Sequence, residues 1–177
     1  MDLIFLDWET TGFGPCRGVE LAFKRKGEPV TLVHVRPPIP IEDGAAAVHG
    51  VTNEMCKDWK LFAELPEYPT IKATLEAACI VAHNASFDIG VLEREGIVCP
   101  IYIDTQKVAK HLYPHAPNHK LQGLRSYLQL DANGDAHSAA GDVAVLEALF
   151  DNMTATMEMK GTAPDDVLSE MMRASLH

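Results

Sequence analysis

From Leu3 to Leu6 both faces of an extended chain would be apolar, since Leu3 and Phe5 alternate with Ile4 and Leu6. Residues 2–8 are therefore predicted as a central strand covered on both sides. Two further strands, near 19–26 and 30–36, flank the hairpin signal "KGEP", and "RPPIP" then punctuates the chain. Short helices are expected over 42–48, over 52–58 with Thr52 as cap, and over 70–78. "CIVAH" reads as a buried strand, 85–95 as a helix, "CPIYID" as a strand, and 105–113 and 120–129 as helices. The longest helix starts near Ser138 and reaches about 158. Strands alternating with helices, after an antiparallel hairpin, give an α/β class with a mixed central sheet flanked by helices.

The segment 159–177 stands apart from a main domain over 1–158. Pro164 and Asp165 suit the first turn of a helix, and Val167, Leu168, Met171 and Met172 form one stripe. That tail is expected to pack on the domain or to dock a partner, a polymerase or a second copy of the chain. With 177 residues and 47% hydrophobic content, the chain can bury one sizeable core. Cys16, Cys56, Cys79 and Cys99 are widely spaced without a C-x-x-C pair, which argues against a zinc site and a disulfide framework and for a reducing, cytoplasmic setting. The first residues lack the basic leader and apolar length of a signal peptide, and no segment approaches a membrane span.

A net charge of −10 argues at first against a nucleic-acid ligand. Its distribution changes that picture. Between Thr105 and Leu130 there is no Asp or Glu, while Lys107, Lys110, Lys120 and Arg125 contribute +4, so the rest of the chain carries −14. The stretch is either a surface that meets phosphate or the solvated side of two short helices. His111, His115 and His119 recur at helical spacing within it, but Pro114 and Pro117 break the helix that would align them on a metal.

Four acids sit where the pattern calls for apolar residues. Asp7 and Glu9 project from the same side of the first strand. Asp88 shares a helical stripe with Val91 and Leu92, and Asp142 shares one with Val145, Leu146 and Leu149. Desolvating a carboxylate costs several kcal/mol unless a partner compensates, and neither helical stripe contains a Lys or Arg. One cluster around cations accounts for all four. An oxygen-only set suits Mg2+ or Mn2+ rather than zinc, and four acids suit two such ions, the arrangement used in phosphodiester hydrolysis. His137, placed on a loop before the helix that Ser138 caps, can serve as a general base because histidine changes charge near neutrality.

"DWETTG", "HNASFD" and "HSAAGD", in that order, resemble the three motifs of the DEDDh, or DnaQ-like, 3′→5′ exonucleases. "AVHGVT", "DTQKVAKHLYP" and "KLQGL" resemble the segments between them, so the likeness runs from about residue 2 to 153. Within the family it is greatest to exonuclease X and the polymerase III ε proofreading subunit. The resemblance implies an RNase H-like fold and release of nucleoside 5′-monophosphates from a nucleic-acid 3′ end, with DNA placed ahead of RNA. It implies that Asp7, Glu9 and Asp142 hold one ion, that Asp7 bridges to a second, that Asp88 supports the second, and that His137 is the base. Thr10, Thr11, Gly12 and Phe13 would meet the terminal nucleotide, by backbone N–H groups and by Phe13 against a base. His49 and Asn84 would contact substrate or make structural hydrogen bonds. The alternatives are an exoribonuclease, since motifs do not reveal how the 2′-hydroxyl is sensed, and a non-catalytic docking subunit. Two departures from the family pattern stand out: Trp8 is unusually bulky for the middle of its motif, and the 19–36 hairpin is short.

Overall fold

The computed structural model of the chain describes residues 1–132 and 137–177 and is built on a five-stranded mixed sheet. β1 (Leu3–Thr10) lies at its centre. β2 (Gly18–Arg25) runs antiparallel to β1, and β3 (Thr31–His34) antiparallel to β2. β4 (Cys79–Ala82) and β5 (Tyr102–Asp104) continue the sheet in parallel on the other side, giving the order β3-β2-β1-β4-β5. The expected hairpin forms with Gly27 at φ 74°, a left-handed geometry that glycine adopts without strain. β3 ends earlier than its pattern suggests because Arg36 N–H turns away to the carbonyl of Lys60. Pro100, with no N–H to donate, delays β5.

The two faces predicted for β1 meet two separate layers. Ile4, Leu6 and Trp8 pack with α3 (Tyr68–Glu76) and α4 (Ala85–Arg94). Phe5 packs with α5 (Thr105–Leu112), α6 (Leu121–Tyr127), α7 (Ala139–Met159) and α8 (Val167–Ser175). A smaller cluster of Val19, Ile41, Val51 and Cys56 seats α1 (Asp43–His49) and α2 (Asn53–Cys56) beside β2, the second capped as expected by Thr52, whose Oγ1 accepts from Met55 N–H at 3.2 Å. All four cysteines are buried free thiols. The apolar stripe of the tail faces inward: Val167, Met171 and Ser175 are buried, and Ser175 Oγ accepts the edge N–H of Asp104 at 2.8 Å. No helix among the described residues is long and apolar enough to cross a membrane.

The sheet contains one step that positions everything below. β4 pairs with β1 only over Leu3–Phe5, so β1 runs on to Thr10 with no neighbour on that side. Backbone donors there must find other partners.

Candidate active site

Asp7 and Glu9 point from this unpaired end of β1 toward α7, the face they share with Phe5. A bulge between Glu9 and Thr10 against β2 marks the place where the strand leaves regular pairing. Asp142 stands in the first turn of α7, whose cap Ser138 accepts from Gly141 N–H at 3.1 Å. Carboxylate oxygens of Asp7, Glu9 and Asp142 lie within 4.8 Å of one another. Asp88 approaches from the other layer, through the gap that β4 leaves. It is 3% exposed, and its Oδ1 accepts the otherwise unpaired N–H of Trp8 at 3.0 Å.

Burial drives all four acids toward their protonated forms, and for Asp7 and Glu9 the neighbouring carboxylates add to it. Glu9 is pushed up to about 8, with Asp142, Glu20 and Asp88 adding to the effect of burial. Asp7 lies well above the usual carboxylate range through burial and through Asp88, Asp142 and Glu9. Burial also lifts Asp88 to about 8 against the opposing bond from Trp8, and it raises Asp142 against the amide of Gln122. None of the four makes an ion pair among the described residues. Converging half-buried oxygens that no ion pair satisfies among the described residues fit a hard divalent cation, which removes the repulsion and the desolvation penalty together.

Beside the acids lies a cavity of about 430 Å3 lined by Asp7, His83, Asn118, Lys120, Gln122, His137 and Asp142, among others. His137 is exposed at its edge, in a left-handed conformation (φ 64°) directly before the cap of α7. The acid-free stretch thus supplies the opposite wall. Its loop is held from within: His83 Nε2–H donates to the carbonyl of His119 at 2.7 Å, and burial depresses the basicity of that imidazole. Gln106 donates to the same carbonyl, and His119 Nε2 reaches the carbonyl of Tyr113 at 3.0 Å. The three spaced histidines therefore do not form a metal group among the described residues; His119 is a loop brace.

On the other side of Glu9, a second cavity of about 220 Å3 has walls that include Trp8, Thr10, Gly12, Phe13, Ala45, Val48, His49 and Phe87. Phe13 is 91% exposed at its mouth. Gly12, at φ 151°, lies under the Glu42 side chain, whose Cδ would be 2.3 Å from an added Cβ. Thr10 and Thr11 are buried, and the N–H of Thr11 is committed to Arg17 O at 3.0 Å. Of the turn's expected donors, Gly12 and Phe13 N–H are the ones without a hydrogen bond among the described residues. His49 lines the cavity with both ring nitrogens engaged: Nδ1 accepts from Val51 N–H, and Nε2–H donates to Thr10 O at 2.9 Å. It shapes the wall. Asn84 is exposed at the left-handed start of α4 (φ 65°), where its N–H donates to Asp104 Oδ1.

Three participants escape a reading by motif. Glu20 lies directly across β2 from Glu9 and raises its proton affinity, an effect that follows once the hairpin register is known. Gln122 donates to Asp142 Oδ1 at 2.7 Å. Asp104, 2% exposed, accepts from Asn84, Gln106 and Lys107 N–H, tying the start of α4 to α5; an acid just before a predicted helix is its one signal.

Comparisons with known proteins agree with this geometry. The RNase_T exonuclease family model matches residues 4–150. The DNA polymerase III subunit epsilon of Buchnera aphidicola subsp. Acyrthosiphon pisum is 32% identical over 133 residues, covering 69% of this chain and 54% of its own length. That of Pasteurella multocida is 28% identical over 174 residues, covering 85% and 67%. The chain thus spans about half the length of the Buchnera relative. Among solved structures, exonuclease X in complex with 5′ overhanging duplex DNA superposes with a TM-score of 0.76 at 26% identity, over 98% of this chain and 99% of that one. E. coli exonuclease I in complex with a dT13 oligonucleotide gives 0.72 at 18% identity, over 90% of this chain and 42% of that one, which is a likeness of fold. With an RNase H-like sheet that brings Asp7, Glu9 and Asp142 together and sets Asp88 beside them, the chain belongs to the RNase_T exonuclease family, in its DEDDh, DnaQ-like branch.

Proposed function

We propose that the protein is a metal-dependent 3′→5′ exonuclease that removes nucleoside 5′-monophosphates from DNA 3′ ends. The observation that carries this reading is the convergence of Asp7, Glu9 and Asp142, none of them in an ion pair among the described residues, between a nucleoside-sized apolar cavity and a wall containing Lys120. Asp7, Glu9 and Asp142 would hold one Mg2+ or Mn2+, and Asp7 with Asp88 a second. Bound there, such ions supply the Lewis acidity that phosphodiester hydrolysis needs.

The chain's own groups supply the rest. The cavity behind Phe13 receives the terminal nucleoside, and Gly12 and Phe13 N–H are free to meet its 3′-hydroxyl. Lys120 and Asn118 steady the phosphate from the opposite wall. His137, exposed beside Asp142, takes the proton of the attacking water as its oxygen bonds to phosphorus. The bond from phosphorus to the O3′ of the preceding nucleotide breaks, and that oxygen takes a proton from solvent, leaving a new 3′-hydroxyl and a free 5′-monophosphate. Association with a polymerase, suggested by the names of the ε-subunit relatives, would use surfaces other than the inward stripe of α8.

Digestion of 5′-labelled and 3′-labelled DNA and RNA oligonucleotides with Mg2+ tests this reading. The expected result is stepwise shortening of 5′-labelled DNA, labelled mononucleotide from the 3′-labelled strand, and slower loss of RNA. Internal fragments, or no mononucleotide release from either polymer, would overturn it. Faster loss of RNA would reassign the substrate while keeping the chemistry.

A further inference from the structure

Asp142 is the one member of the converging acids whose carboxylate is held by another side chain among the described residues: Gln122 Nε2–H donates to its Oδ1 at 2.7 Å. Gln122 is half-buried on the wall of the larger cavity, in the stretch that contains no acid. Its backbone has little freedom. Leu124, two residues on, is fully buried, and Ser126 Oγ donates to Gln122 O at 3.1 Å. Gly123 lies so close to Asn118 that an added Cβ would be 2.1 Å from Asn118 Oδ1, and that oxygen also accepts from Lys120 N–H. The start of α6 is thereby clamped between the cavity loop and the core, and the amide is presented in a set direction.

The chemistry of the group matters as much as its place. A lysine there would orient Asp142 but cancel its charge and compete with a cation. An apolar residue would remove one of the bonds that fix the carboxylate, which also accepts the His137 backbone N–H. A neutral amide fixes one oxygen, leaves the charge of the cluster intact, and gives the other oxygen a defined direction. We propose that Gln122 is a positioning residue, which holds Asp142 in the orientation that receives a divalent cation while adding no charge to the site. The inference rests on the reading that the acidic cluster holds such ions.

Calorimetric titration of Mn2+ into the full chain, with Gln122→Met and Gln122→Lys beside the wild type, separates the possibilities. Methionine matches the length of glutamine without its donor; lysine keeps a donor and adds a charge. Both variants are expected to bind Mn2+ about 10–100-fold more weakly, Gln122→Lys the more so. At high Mn2+ the hydrolysis rate of Gln122→Met is expected to return toward the wild type, because the loss lies in ion loading. Thermal midpoints in chelator identify variants that have lost the fold, and Gln122→Asn, which shortens the reach of the amide by one carbon, then serves as the second weakened variant. If wild type and variants bind Mn2+ equally, Gln122 has no such role. If the wild type itself binds none, the metal reading falls and this inference with it.

Discussion

Asp142 costs the ion-free fold more than it gives, because burial of its carboxylate outweighs the bonds from Gln122 and the His137 backbone and the attraction of His137 and Arg125. Asp142→Ala should therefore lower turnover by more than about 100-fold, at least the cost of losing an outer contact to a metal ligand, while the thermal midpoint in chelator holds or rises. A midpoint that falls steeply would show that the carboxylate supports the fold instead. A second residue-scale prediction concerns Trp8. Its ring lies across Gly18, where a Cβ would stand 2.2 Å from Cζ3, and meets Phe62 edge to face at 5.6 Å. The bulky residue is accommodated by an absent side chain on the next strand. Gly18→Ala should cost about 1–3 kcal/mol in denaturant unfolding, as overpacking of a filled core does. The four acids were legible because each interrupts an apolar pattern at a definite period. Glu20, Asp104 and Gln122 break no pattern, and their importance depends on neighbours that only the folded chain supplies.

At the scale of elements, the site depends on where strands and helices stop. Asp104 ends β5, caps α5 and holds the first residue before α4, the helix that carries Asp88. Its own N–H is satisfied from α8 by Ser175. Asp104→Ala removes a cap and strands the Asn84 N–H, so a loss of about 2 kcal/mol or more is expected in denaturant midpoint and slope analysis. Asp104→Asn, which keeps an acceptor oxygen, should recover most of it; equal losses in both variants would assign the effect to charge. The order and type of the strands and α-helices followed from periodicity read together with turn signals, and the cap at Thr52 from its residue type and place. The ends did not. β3 stops because Lys60, distant in sequence, takes over the backbone bond of Arg36, and β5 is shortened by a proline inside an otherwise strand-like run.

For the molecule as a whole, charge and protons are linked. In the ion-free protein Glu9 and Asp88 stand near 8 against ordinary values near 4.5 and 3.8, so between about pH 5 and 8 the folded chain binds more protons than the unfolded one. Stability in chelator must then decrease as pH rises through that window. Mg2+ replaces the protons, and its stabilising increment is expected to grow over the same range. Thermal melts from pH 5.5 to 8.5 with and without Mg2+ would show this as diverging curves, whereas parallel curves would place the raised proton affinities outside the ion site. The overhang of β1 past β4 has one last consequence. The Trp8 amide is protected from solvent exchange by a carboxylate from α4 rather than by a neighbouring strand. One amide is thus a built-in gauge of whether the second acidic motif is docked, and in Asp88→Ala its deuterium uptake should accelerate while the amides facing β2 keep their pace.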